Sequence, residues 1–72
     1  MNKDEYLISF GKQVKKLRKQ RGLSQEELAL LCALDRSYIG GVERGERNIS
    51  LVNLLKISKA LRLSLSELFT EL

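Results

Sequence analysis

Between positions 36 and 48 the chain carries Arg36, Ser37, Tyr38, Arg44, Arg47 and Asn48, interleaved with the apolar residues Ile39 and Val42. Ile39 and Val42 mark the inner side of a short helix, and Arg36, Ser37, Gly40, Gly41 and Arg44 do not share that stripe. The chemistry this outer set offers is hydrogen bonding to a base-bearing polyanion rather than bond making. An arginine fork matches the O6 and N7 acceptors of guanine, and each bidentate pair is worth about 1–3 kcal/mol of discrimination. Arg36 is therefore the first residue expected to meet a base edge. Ser37 serves a base edge or a phosphate, while Tyr38 donates to a phosphate or lies against a thymine methyl. Gly40 and Gly41 each cost about 1 kcal/mol relative to alanine inside a helix. Two explanations stand side by side: close approach to a duplex groove, which makes Gly41 part of the contact surface, or close packing of this helix on its neighbours.

Other groups are suited to holding a phosphate backbone. Gln25 offers an amide donor beside the free N–H groups of a helix N-terminus. Upstream, Lys12, Lys15, Lys16, Arg18, Lys19 and Arg21 crowd the second half of an amphipathic helix. They read equally as phosphate contacts, Lys15 among them, or as a solvated face whose cations oppose the negative helix end.

The elements that position these residues are legible from caps and periodicity. Leu7, Phe10, Val14 and Leu17 recur at helical spacing, and Gly22 ends that helix. Ser24 and Glu27 form a capping box with Leu23 and Leu28 as its staple, and Asp35 is expected to cap the next helix, which Gly45 ends. Ser50 caps a fourth helix, stapled by Ile49 and Leu54, with an inner face of Leu51, Leu54, Leu55, Ile57 in part, Ser58 and Leu61. Ser64 and Glu67 repeat the capping box, with Leu63 and Leu68 as staple. The expectation is one compact all-α domain with helices at about 5–21, 25–32, 36–44, 51–61 and 65–71. The second and third, joined by a short turn, have helix-turn-helix geometry.

Composition narrows the function classes. The chain has 72 residues, a formal charge of +4 and a pI near 9.5, favouring an anionic partner. A domain this size buries only about 60% of its unfolded surface, so a partner subunit is expected, in the form of a homodimer. With no histidine and a single cysteine there is no Cys/His metal constellation and no internal disulfide. Cys32, within an apolar run, reads as a small core residue. No catalytic constellation or phosphate-binding loop is present, so the chain is not expected to be an enzyme or to carry a cofactor. No small-molecule effector pocket is evident either. The chain lacks an apolar stretch long enough to cross a bilayer and a signal-peptide pattern, so a cytoplasmic protein is expected, without membrane contact.

From Gln25 onward the chain resembles the Cro/C1-type, XRE-like, helix-turn-helix family of phage and bacterial repressors. Gln25 opens the second helix, Ala29 sits at the tight helix contact, and Ile39 and Val42 fill the inner face of the third. The stretch D-R-S-Y-I-G-G-V-E-R-G-E-R-N-I-S-L more narrowly resembles the controller proteins of restriction–modification systems. The resemblance implies a five-helix, lambda-repressor-like domain and a sequence-specific transcriptional regulator that binds double-stranded DNA as a homodimer on a palindromic operator. It also implies that Arg44, Arg47 and Asn48 reach phosphates or the groove edge, and that Arg18 pairs with Glu43 to lock the first helix to the recognition helix. Ala33 departs from the family, which usually has glycine in the inter-helix turn; alanine at positive φ costs about 1 kcal/mol. The alternative is a protein-interaction module, antitoxin-like or adaptor, on the same fold.

The C-terminus carries an apolar surplus. Leu61, Leu63 and Leu68 are needed to close the domain, whereas Leu65, Phe69 and Leu72 fall on another face of the last helix. These three are expected to centre a two-fold interface, the alternative being that Phe69 plugs the monomer core.

Overall fold

The computed structural model describes residues 2–70, so Leu72 lies outside the described residues. It contains α1 (Lys3–Gln20), α2 (Gln25–Cys32), α3 (Arg36–Glu43), α4 (Leu51–Ala60) and α5 (Leu65–Leu68), with no strand among the described residues. The all-α, five-helix expectation holds. α1 starts two residues earlier than expected because the Asn2 side chain accepts a hydrogen bond from the Glu5 N–H at 2.9 Å. α5 is shorter than expected, a single turn ending at Leu68.

Both capping boxes form. Ser24 Oγ accepts from the Glu27 N–H at 3.0 Å and Glu27 Oε1 from the Ser24 N–H at 2.8 Å. The corresponding pair at Ser64 and Glu67 measures 3.1 and 2.9 Å. These bonds hold both glutamates below the usual carboxylate range, because the ionised form is the better acceptor. Ser50 caps α4 through the Asn53 N–H. Asp35 does not behave as expected: it occupies the N-cap of α3 with extended backbone, but its carboxylate makes no capping bond. Its carbonyl instead accepts from Tyr38 and Ile39.

Four helices end alike, each with a left-handed residue followed by a bond from the next N–H back to the last turn. Gly22, Ala33, Gly45 and Arg62 adopt φ of 70°, 56°, 77° and 58°. Leu23, Leu34, Glu46 and Leu63 then donate to the carbonyls of Arg18, Ala29, Gly41 and Ser58, completing Schellman closures. The strained alanine inferred from sequence is present at Ala33.

The core draws on all five helices: Val14 from α1, Leu28 from α2, Ile39 and Val42 from α3, Ile57 from α4 and Leu68 from α5 are fully buried, with Leu61 just past α4. Cys32 is buried as expected, and burial pushes its thiol pKa up. α4 corrects the sequence reading. Leu54, Ile57, Ser58 and Leu61 face in, but Leu51 is 65% and Leu55 48% exposed, beside Val52 at 61%. Leu55 lies about 100° around the helix from Leu54, and Leu51 stands in the first turn, beyond the part of the helix the core covers. At the C-terminus, Leu68 fills the interior while Phe69, 40% exposed, lies against Phe10 with ring centres 5.6 Å apart. Leu65 is half-buried against the core. No helix among the described residues is long and apolar enough to cross a membrane.

Candidate nucleic-acid interface

The frame that aims α3 is polar and buried. Arg18 Nε donates to Glu43 Oε2 at 2.7 Å and Nη2 to Oε1 at 3.0 Å, a bidentate clamp from α1 to the end of α3. The third arm, Nη1, donates to the Leu23 carbonyl at 2.8 Å. Gln25 Nε2 adds a bond to Glu43 Oε1 at 3.0 Å, bringing α2 into the same network. The hydrogen bonds to Glu43 raise the Arg18 pKa further, outweighing the opposing effect of burial. The clamp requires the two helices to touch. At Gly11 a β-carbon would stand 2.7 Å from the Glu43 carbonyl oxygen and closer still to that of Val42. Glycine is what lets α1 lie on the α3 backbone.

On that frame α3 presents Arg36 and Ser37 to solvent at its N-terminal end. Arg36 has neither a hydrogen bond nor an ion pair among the described residues. An unengaged guanidinium keeps its whole fork for an external acceptor. Tyr38 is half-buried, its ring 5.3 Å from the Arg47 guanidinium carbon and its hydroxyl accepting from Asn53 Nδ2 at 3.1 Å. The hydroxyl retains its own proton to donate to a phosphate. Asn53 is a positioning residue that sequence reasoning missed, since nothing in helical periodicity marks a polar side chain reaching back fifteen positions.

Both glycines of α3 are buried, and the groups over them are side chains rather than another helix. A β-carbon at Gly40 would meet Arg44 Nη1 at 3.1 Å, and one at Gly41 would meet Arg47 Cγ at 3.1 Å. The space above Gly41, expected on the contact surface, is occupied here by the Arg47 stem. Gly41 makes the bed on which Arg47 lies. Arg44 is exposed and paired with Glu46 at 3.0 Å, a bridge that water screens and that a phosphate can replace. Asn48 and Lys15 are exposed, on the α3–α4 loop and α1. Gln25 commits one of its two amide hydrogens to Glu43 and keeps the other. Arg21 is diverted: Nη1 donates to the Leu61 carbonyl at 2.8 Å, closing the end of α4. Gly11 was missed as well, although a glycine inside an otherwise unbroken helical pattern is itself the signal.

No three Asp, Glu or Cys side chains among the described residues gather to hold a metal ion. What the surface can do is present one free arginine and a serine at a helix start, flanked by cations and amides, on a clamped scaffold. Those are groups that can bond base edges and a phosphate backbone.

Comparison with known proteins bears on this arrangement. A family model described as helix-turn-helix matches residues 14–68. The Control protein C.MunI of Mycoplasma sp. is 53% identical over 66 residues, covering 90% of this chain and 89% of that protein. The crystal structure of the restriction–modification controller protein C.AhdI from Aeromonas hydrophila is 57% identical, with a TM-score of 0.88 over 90% of this chain and 98% of its own. The controller C.Esp1396I, solved as a tetramer with its natural 35 base-pair operator, is 40% identical with a TM-score of 0.81, covering 88% of this chain and 83% of its own.

Proposed function

This chain belongs to the helix-turn-helix family of DNA-binding regulators, and on that premise we propose that it is the controller of a restriction–modification system, acting as a homodimer on a palindromic operator. The observation that carries the base-reading assignment is the contrast on α3 between Arg36, unengaged and exposed, and Glu43, buried in the clamp that fixes the helix. Arg36 and Ser37 read base edges. Tyr38, Arg44, Arg47 and Asn48 hold phosphates, with Lys15 and Gln25 at the margin.

Dimerisation is supported by an apolar face that the monomer leaves uncovered. Leu51, Val52 and Leu55 of α4 are exposed, as is Phe69. Phe69 also lines an apolar groove of about 330 Å³ with Tyr6, Ile49 and Leu54. A self-complementary patch of this kind suits a two-fold axis, and it would present the two copies of α3 about 34 Å apart, one duplex turn.

Titrating the protein against DNA from upstream of its own gene tests the reading. Affinity should fall steeply with salt, with a log–log slope of about −0.9 for each phosphate neutralised. Arg36→Ala should relax preference at one position of each half-site, costing about 1–3 kcal/mol there. Arg47→Ala should weaken every sequence alike and flatten the salt slope. An Arg36→Ala protein that still binds with unchanged preference would remove Arg36 from the base-reading role.

A further inference from the structure

We infer that a cationic cavity at the C-terminal ends of α1, α2 and α4 is a docking site for an acidic segment of a partner protein. The cavity has a volume of about 290 Å³ and is lined by Arg21, Lys56, Lys59 and Arg62, with Leu31 and Cys32 at its α2 side. No aspartate or glutamate among the described residues lines it. Four of the chain's 13 lysines and arginines thus meet around one concavity that lies outside α3 and the loop after it.

Local structure accounts for part of this cluster. Lys59 and Arg62 sit at the negative end of α4, and Arg21 closes the Leu61 carbonyl. Lys56, a turn earlier, has no such reason to be there, and no carboxylate among the described residues pairs with it, with Lys59 or with Arg62. Four cations lining one concavity favour an anionic occupant.

The apolar part of the lining selects among anions. Leu31 is 58% exposed at the edge of the cavity, and the buried Cys32 thiol faces the Lys56 carbonyl at 3.7 Å. A small inorganic anion would satisfy the cations and leave Leu31 bare. A duplex would offer phosphates but no apolar side chain to cover it. An acidic peptide with one apolar residue between its carboxylates matches both features. α2 also spaces the cavity roughly 10 Å along its axis from Gln25.

The probe is a short fluorescein-labelled peptide of Glu and Asp around one central Leu, titrated with the full chain at near-physiological salt and read by anisotropy. Wild type should bind it, Lys56→Glu/Lys59→Glu should weaken binding roughly tenfold or more, and Leu31→Ser should weaken it several-fold with the charge unchanged. Thermal melts monitor folding, and Lys56→Ala/Lys59→Ala replaces the charge reversal if that variant does not fold. The inference fails if wild type does not bind the peptide or if the variants bind it equally. It also fails if exchanging the peptide's Leu for Ser changes nothing, which indicates a general anion site, or if a short non-operator duplex displaces the peptide, which indicates nucleic acid.

Discussion

The stem of Arg47 lies in the space that a side chain on Gly41 would need: a β-carbon there would stand 3.1 Å from Cγ and 3.2 Å from Nε of the arginine. The same stem carries the guanidinium to its place over Tyr38. A glycine inside α3 is thus tied to the position of Arg47.

Two glycine substitutions should consequently behave in opposite ways. Gly41→Ala gains about 1 kcal/mol of helix propensity and meets only a flexible stem, so stability should hold or rise while DNA affinity falls as Arg47 moves. Gly11→Ala gains the same propensity but drives its methyl into two backbone carbonyls, for a net loss of roughly 1–3 kcal/mol. Urea unfolding of the two variants side by side makes the comparison; equal destabilisation would contradict the account of Gly41.

For the clamp, Glu43→Ala should cost about 3–5 kcal/mol, because it leaves the Arg18 charge buried with only the Leu23 carbonyl as partner. The double variant Arg18→Met/Glu43→Leu should recover most of that loss, since paired apolar replacements remove the unpaired charge. A single variant no less stable than wild type in urea would show that the charges act independently.

Ala33→Gly should stabilise the fold by up to about 1 kcal/mol, relieving the left-handed alanine at the end of α2. For a domain of this size that corresponds to a rise in Tm of roughly 4–8 °C per kcal/mol, readable by calorimetry. A lower Tm would mean that the entropy of the unfolded glycine outweighs the strain.

The apolar face can be examined by sedimentation. Leu51→Lys and Phe69→Lys should each yield a folded monomer with weaker operator binding, since a charge at the centre of a two-fold interface is buried twice. A dimer that survives both changes would place the interface elsewhere. If Phe69→Lys unfolds while Leu51→Lys remains a dimer, Phe69 belongs to the monomer's core.

The bounds of α2 were legible in the sequence to the residue, and the reason is local. Ser24 and Glu27 bond within one turn, so both partners lie in a four-residue window. The Ile39 and Val42 stripe and the burial of Cys32 were legible because periodicity records which side of a helix is dry. The Arg18–Glu43 pair spans 25 positions and was reached only through the family resemblance. Even a local signal failed at Asp35, whose carboxylate had several conformations open to it and does not take the capping one.

Tertiary structure decided the rest. α4 carries more apolar residues than the core has room for, and only the positions of its neighbours determine that Leu54 and Ile57 are covered while Leu51 and Leu55 are bare. Arginine and glutamine stems reach many partners within a few ångströms, so sequence could count the cations and amides without saying where each would go. Arg21 went to a helix end, Gln25 to a buried carboxylate and Arg47 to a tyrosine ring. Arg36 stayed free because, among the described residues, no carboxylate forms an ion pair with it.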